Sequence, residues 1–336
     1  MLSDSLIDQI LTALPARRIG VLGDLFLDRY LDLDASLTEP SVETGLDAYQ
    51  VIRVRSYPGA LGTVINNLAA LGVGTIRPIA FYGDDGEGYE LQQALAKLPA
   101  VQTRRGLLVA PSRRTPTYTK PILVRTGEQP HELNRLDIKN RTPTSLAVEK
   151  ILLEYLDECW SAIDALIVVD QVSEPNCGVV TDRVRARLAE LSAAVPSRFA
   201  LVDSRERIRE FRNVCVKPNQ REAAAFPGGP AAFANSLGRH VYQTLGENGI
   251  DLYAPDGTRT QIPAYPIKGP TDIVGAGDST SAGIASAVMA GATFEQAAAF
   301  GNLVASITIQ QIGVTGTATP EQVRERWRQV KSAPSR

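Results

Sequence analysis

The chain reads as an α/β protein, a large and mostly parallel sheet flanked by helices, with a small β lid. Three observations predict this. Short apolar runs rich in branched residues alternate with stretches of helical spacing, as parallel strands joined by crossover helices require. Acidic or amide residues stand just past the ends of the apolar runs, on the edge where an open parallel sheet binds ligands. Two segments break the alternation with extended stretches, and these are read as the lid.

In chain order, strands are predicted at residues 18–22, 76–80, 165–169, 199–202 and 213–216, and helices over 63–71, 90–98, 146–157 and 177–191. The strand-end residues are Asp24, Asp84, Asp170, Asp203 and Asn219. The lid segments are about 29–57 and 107–137, where Gln50-Val51-Ile52-Arg53-Val54-Arg55 and Thr117-Tyr118-Thr119-Lys120 alternate. Pro227-Gly228-Gly229-Pro230 reads as a surface turn. With neither an internal repeat nor an interdomain linker, residues 1–336 read as one domain carrying the lid as an insertion.

A length of 336 residues with 44% hydrophobic content can bury a large core. The formal net charge of −2 gives no field that would attract nucleic acid or acidic lipid, so neither is an expected partner. Cys159, Cys177 and Cys215 lie far apart, and only His131 and His240 could join them, which argues against a zinc site or a disulfide framework. The first residues are acidic and amphipathic rather than basic and then apolar, and no apolar run is long enough to cross a bilayer. A cytoplasmic protein is the expectation.

The most informative stretch is Thr271-Asp272-Ile273-Val274-Gly275-Ala276-Gly277-Asp278-Ser279. Its glycines allow a sharp turn and bring bare N–H groups close to an anion. The small-residue run 279–289 reads as a helix starting at those glycines, with its positive dipole end facing developing phosphoryl charge. Asp278, in the first turn, is placed to take the proton of an attacking hydroxyl. The dipole should depress its pKa and keep it ionised at neutral pH. The same residues also describe an ordinary turn followed by a helix cap.

The order and distance of several motifs resemble the ribokinase-like (PfkB) carbohydrate kinases from about 18 to 323. They are Gly23-Asp24-Leu25-Phe26-Leu27-Asp28, Tyr82-Gly83-Asp84-Asp85-Gly86-Glu87-Gly88, Asn219-Gln220-Arg221-Glu222, Thr244-Leu245-Gly246-Glu247-Asn248-Gly249, the 272–279 stretch and Phe300-Gly301-Asn302. Gly23 to Tyr30, Thr117-Tyr118-Thr119-Lys120 and Leu133-Asn134-Arg135-Leu136-Asp137 look most like the branch acting on heptose 7-phosphate. The resemblance implies a doubly wound ribokinase-like fold and ATP-dependent phosphorylation of a sugar or sugar phosphate with Mg²⁺. It implies Asp278 as base, an anion hole at Gly275, Ala276 and Gly277, and a homodimer paired through the lid.

The resemblance further implies that Asn219 and Glu222 organise the hydration of Mg²⁺; a helix cap is the alternative for that pair. It assigns Thr244, Gly246 and Gly249 to the nucleotide, with Asn302 near the adenine. Asp272 matches a position where some relatives help bind a monovalent cation such as K⁺. Asp24 and Asp28 would accept hydrogen bonds from sugar hydroxyls. Lys120 and Arg135 are either contacts for an acceptor phosphate or lid-surface charges.

Pro58-Gly59-Ala60-Leu61-Gly62-Thr63 departs from the family pattern, with Ala60 at the second glycine and Thr63 where an Asn would meet the sugar. Gly59 and Thr63 remain expected substrate contacts. Asp170-Gln171-Val172-Ser173-Glu174 replaces the stretch that heptose kinases carry after the middle strand. Two other readings stay open, a plain sugar or nucleoside kinase and a catalytically silent binding relative.

Overall fold

The computed structural model describes residues 2–332 except 126 and 128. Helix α1 (Asp4–Ala13), capped by the Ser3 hydroxyl, leads into strand β1 (Arg18–Gly23). A long hairpin follows, β2 (Leu25–Pro40) and β3 (Asp47–Ala60), then α2 (Leu61–Ala70), β4 (Thr75–Tyr82), α3 (Gly86–Leu95) and β5 (Leu107–Val109). Next come β6 (Thr117–Val124), β7 (His131–Glu132), β8 (Leu136–Ile138), α4 (Leu146–Trp160), β9 (Ala165–Asp170), α5 (Asp182–Ala194), β10 (Phe199–Ser204) and β11 (Cys215–Val216). The chain closes with α6 (Gln220–Ala223), α7 (Gly229–Leu237), β12 (Val241–Thr244), β13 (Ile250–Tyr253), β14 (Arg259–Ile262), α8 (Ala276–Met289), α9 (Phe294–Thr308) and α10 (Pro320–Ser332).

The large sheet runs β14-β13-β12-β11-β10-β9-β1-β4-β5, parallel from β12 to β5 and antiparallel at the β12–β13–β14 end. Every residue of β9 and β10 is buried, which explains why both read as unbroken apolar runs. The chain builds outward from β1 in one direction through β4 and in the other through β9, so the strand order reverses beside β1. That reversal opens a crevice at the carboxyl ends. The smaller sheet, β3-β2-β6-β7 with β8 also on β6, starts from that edge, because β2 follows β1 directly and Leu25 pairs with Ala60. Arg29 holds it to α3 by ion pairs with Glu87 and Glu90.

Some boundaries differ from the sequence reading. Leu107–Val109 is not lid: it pairs in parallel with β4 and extends the large sheet. The lid hairpin in turn reaches beyond 29–57 at both ends. Helix α5 starts at Asp182 rather than 177, because the Val179 N–H is taken by Asp24 and the Thr181 hydroxyl caps the helix. Strand β11 starts at Cys215 because Asn213, at φ 62°, is left-handed and cannot extend. After the turn at Gly228, a helix the sequence reading did not assign, α7, begins at Gly229. Helix α8 packs on α9 through facing glycines: a Cβ on Gly283 would lie 2.8 Å from the Gly301 Cα.

Candidate active site

The first turn of α8 opens on the crevice. Gly275 has φ 78°, a conformation that favours glycine, and turns the chain so that the helix begins at Ala276. The Ala276 N–H donates to the Ile273 carbonyl at 3.1 Å, so this amide is spent on the turn and is not free for an anion. Among the described residues the N–H groups of Gly275, Gly277 and Asp278 have no partner. Asp272 braces the loop, accepting from the Val274 N–H at 3.1 Å and the Gly313 N–H at 3.2 Å.

Gly277 faces an ion pair that the sequence reading did not single out. Lys217 Nζ lies 2.7 Å from Asp203, with both side chains buried. A Cβ on Gly277 would sit 3.4 Å from that ammonium and 3.8 Å from the Asp203 carboxylate. Asp278 is half-buried, and its carboxyl is pushed up to about 7, first by desolvation and then by the Asp203 charge, against Lys217 and Arg205. The expected depression by the helix dipole is therefore overturned: loss of water and a neighbouring carboxylate outweigh it.

Asn219 and Glu222 form a capping box, the Glu222 N–H donating to Asn219 at 2.9 Å and the Asn219 N–H to Glu222 at 2.8 Å. Burial raises the Glu222 pKa, with Asp203 adding to the effect. This bond engages Glu222 Oε2 and leaves Oε1 without a hydrogen-bond partner among the described residues, so the pair can cap the helix and still present a carboxylate oxygen to hydrated Mg²⁺. Among the described residues no three His, Cys, Asp or Glu side chains form a metal cage. Thr244 donates from its N–H to the Pro218 carbonyl at 2.9 Å, which places it beside the Asn219 segment.

Gly246 lies at φ 59° with open space beyond it, whereas a Cβ on Gly249 would meet the Ile262 carbonyl oxygen at 2.1 Å. Gly249 is thus required by a close backbone approach. Asn302 donates to the carbonyls of Ile262 and Pro263, at 3.3 and 3.1 Å, and anchors the same loop.

On the acceptor side, Asp28 sits on β2 with Lys120 Nζ at 3.8 Å, and its pKa is raised by burial despite Lys120 and Arg135. A Cβ on Gly59 would lie 2.4 Å from the Asp28 carboxylate, so glycine leaves room for that side chain. The Asp28 charge also raises the Asp278 pKa, which relates the two carboxylates. Thr63 is buried, with its methyl turned towards Gly275. Lys120 also bonds the Tyr30 hydroxyl at 3.2 Å. Arg135 is clamped by Asp137 at 2.6 and 2.8 Å and stacks 4.0 Å over the Tyr118 ring.

Asp24 is a correction to the sugar-contact expectation. It is 3% exposed, and its oxygens accept from the N–H groups of Gln171, Val172 and Val179 at 2.8–2.9 Å. Its role is to hold the 171–179 loop. Desolvation and the Asp170 charge raise its carboxyl to about 6 against those three amides. Arg207 grips the loop from below, pairing with Asp170 at 2.7 Å and donating to the Val172 and Ser173 carbonyls. A separate recess of about 420 Å³, lined by Tyr49, Pro121, His131, Glu132, Leu133 and Asn134, lies in the lid and contains none of these groups. Of the residues missed, Lys217 had a readable signal, a lysine just past a strand and two positions before Asn219. Arg205 and Arg207 had none beyond their place after a strand.

A doubly wound sheet with a β lid at its carboxyl edge and a carboxylate beside open amides defines a phosphotransferase of the ribokinase-like class. Solved structures share the fold: Arabidopsis thaliana ribokinase complexed with ribose and ATP has a TM-score of 0.65 at 15% identity, covering 92% of this chain and 98% of that one. The Methanocaldococcus jannaschii nucleoside kinase has 0.62 at 18%, covering 93% and 98%. The chain belongs to the pfkB family of carbohydrate kinases, whose profile matches residues 30–322. Curated relatives include the bifunctional protein HldE of Trichlorobacter lovleyi, 28% identical over 90% of this chain and 61% of that protein. HldE of Nitratiruptor sp. is 27% identical over 95% and 66%. The chain thus spans under two thirds of the length of these relatives.

Proposed function

We propose that the protein transfers the γ-phosphoryl group of ATP to a hydroxyl of a sugar phosphate of the heptose 7-phosphate type. The observation that carries this reading is Asp278, half-buried in the first turn of α8 beside the open Gly277 amide and the Lys217–Asp203 pair. Asp278 accepts the proton of the attacking hydroxyl, and the free amides of Gly275 and Gly277 stabilise charge on the transferred group. Asp28 orients the acceptor hydroxyls, Gly59 and Thr63 line their approach, and Lys120 fixes Asp28. Bound Mg²⁺ supplies charge neutralisation on the phosphate oxygens, with Asn219 and Glu222 ordering its water. Thr244, Gly246 and the loop anchored by Asn302 form the nucleotide wall. The carboxylate of Asp272 extends the reading to a K⁺ site, tested by comparing rates in KCl and NaCl. ATP as donor favours a cytoplasmic location.

The lid supports a homodimer. Edge strand β3 exposes Val51, Ile52 and Val54, and Leu37 and Leu46 extend the apolar surface. A phosphorylation screen over heptose phosphates, other sugar phosphates, plain sugars and nucleosides tests the substrate reading. Preference for a plain sugar or nucleoside would replace the sugar-phosphate acceptor, and no transfer to any acceptor would favour a silent binding protein.

A further inference from the structure

The cations of the cleft are mostly paired with carboxylates: Lys120 with Asp28, Arg135 with Asp137, Arg207 with Asp170, and Lys217 with Asp203. Two are not. Arg205 and Lys139 have no carboxylate partner among the described residues. Arg205 follows β10 directly and is exposed. Its Nε donates to the Gln171 side-chain oxygen at 2.8 Å and its backbone N–H to the Asp170 carbonyl at 3.1 Å. These bonds orient the guanidinium and leave its terminal NH₂ groups unpartnered among the described residues.

Gln171 joins Tyr118, Lys139, Asn140 and Ser173 in lining a small gap between the lid and the 171–179 loop. Lys139 Nζ lies 6.0 Å from the Tyr118 ring centre. The Nε bond to Gln171 ties the Arg205 guanidinium to one wall of this gap.

We propose that Arg205, tethered to Gln171, together with Lys139 on the same gap, grips the phosphate that the acceptor already carries, and that the pair selects sugar phosphates over plain sugars. A guanidinium held at one nitrogen and open at the other two offers the fork that phosphate oxygens accept. The Gln171 tether belongs to the stretch that departs from the heptose-kinase pattern. The inference rests on the proposed sugar-phosphate acceptor.

The test compares wild type, Arg205→Gln, Arg205→Lys and Lys139→Gln. It measures kcat/KM for heptose 7-phosphate and for the parent heptose, KM for ATP, and calorimetric binding of inorganic phosphate in the absence of turnover. Arg205→Gln should lower the ratio of kcat/KM for heptose 7-phosphate over heptose by about 10–100-fold, the size of a lost charge-assisted contact. It should also weaken phosphate binding, with partial recovery in Arg205→Lys and a smaller loss in Lys139→Gln. Equal losses on both acceptors with a raised KM for ATP would place the guanidinium on the transferred group and overturn the inference. A wild type that treats the two acceptors alike withdraws the sugar-phosphate reading and this inference together. If the wild type discriminates and Arg205→Gln discriminates just as well, only the inference fails.

Discussion

As the proposed base Asp278 would have to lose a proton to act, yet its surroundings favour keeping one. A base with a pKa raised to about 7 gives kcat/KM an acid limb near that value, with the rate rising as the carboxyl ionises. Asp278→Asn should cost roughly 10²–10⁴-fold in turnover while ATP binding persists, because the amide keeps the shape but accepts no proton. The same shift fixes a stability sign. The folded-state value of about 7 stands above the ordinary 3.8, so this group's contribution is full below about pH 4 and is lost as pH rises through about 7. Thermal unfolding of Asp278→Asn should therefore occur at higher temperature than wild type above pH 7, with the difference vanishing near pH 4. Lys217→Met removes a charge that lowers the Asp278 value, so its acid limb should move to higher pH. It should also destabilise the fold by about 3–5 kcal/mol by leaving Asp203 buried and unpaired. An unmoved limb in the pH–rate profile would separate Lys217 from the base.

At the scale of elements, two helix starts combine local structure with function. Helix α6 is held by the Asn219–Glu222 capping box, and glutamine at the third position serves that box as well as glutamate. Glu222→Gln should keep the melting temperature and raise the Mg²⁺ concentration for half-maximal rate, since a neutral oxygen holds metal-bound water less strongly. An unchanged magnesium titration would leave the pair as a cap alone. Helix α2 begins after Ala60, whose φ of 51° and ψ of −113° suit glycine. Such strain costs about 1–3 kcal/mol, more than the extra freedom glycine gains when unfolded. Ala60→Gly should therefore stabilise by about 1 kcal/mol and raise Tm by about 1–2 °C in calorimetry, the shift expected for a chain of this length.

At the scale of the molecule, the lid stands at the carboxyl edge with an exposed apolar edge strand, a surface that a second copy would cover. Sedimentation at micromolar concentration should give a dimer. Ile52→Lys combined with Val54→Lys should yield a monomer with impaired acceptor binding, because charges on an edge strand oppose pairing. A fully active wild-type monomer would remove the proposal. Much of this architecture was legible in sequence where burial is uniform: β9 and β10 are apolar up to their polar carboxyl ends, Asp170 and Asp203-Ser204, because both their faces are covered. Leu107–Val109 was not, since three residues take their identity from the strand beside them, here β4.

The sequence by itself determined the α/β class, the family and the glycine turn and helix start at 275–278, because a turn, a helix start and an acid in its first turn are properties of neighbouring residues. Tertiary structure alone decided what surrounds them. Asp203 comes from β10, Lys217 from just past β11 and Gly277 from a helix far along the chain, so no local pattern shows that they meet. Asp24 looked like a sugar ligand until three amides about 150 positions away claimed its oxygens. The protonation of Asp278 was likewise decided by the fold: desolvation and charge from residues distant in sequence outweigh the dipole of its own helix.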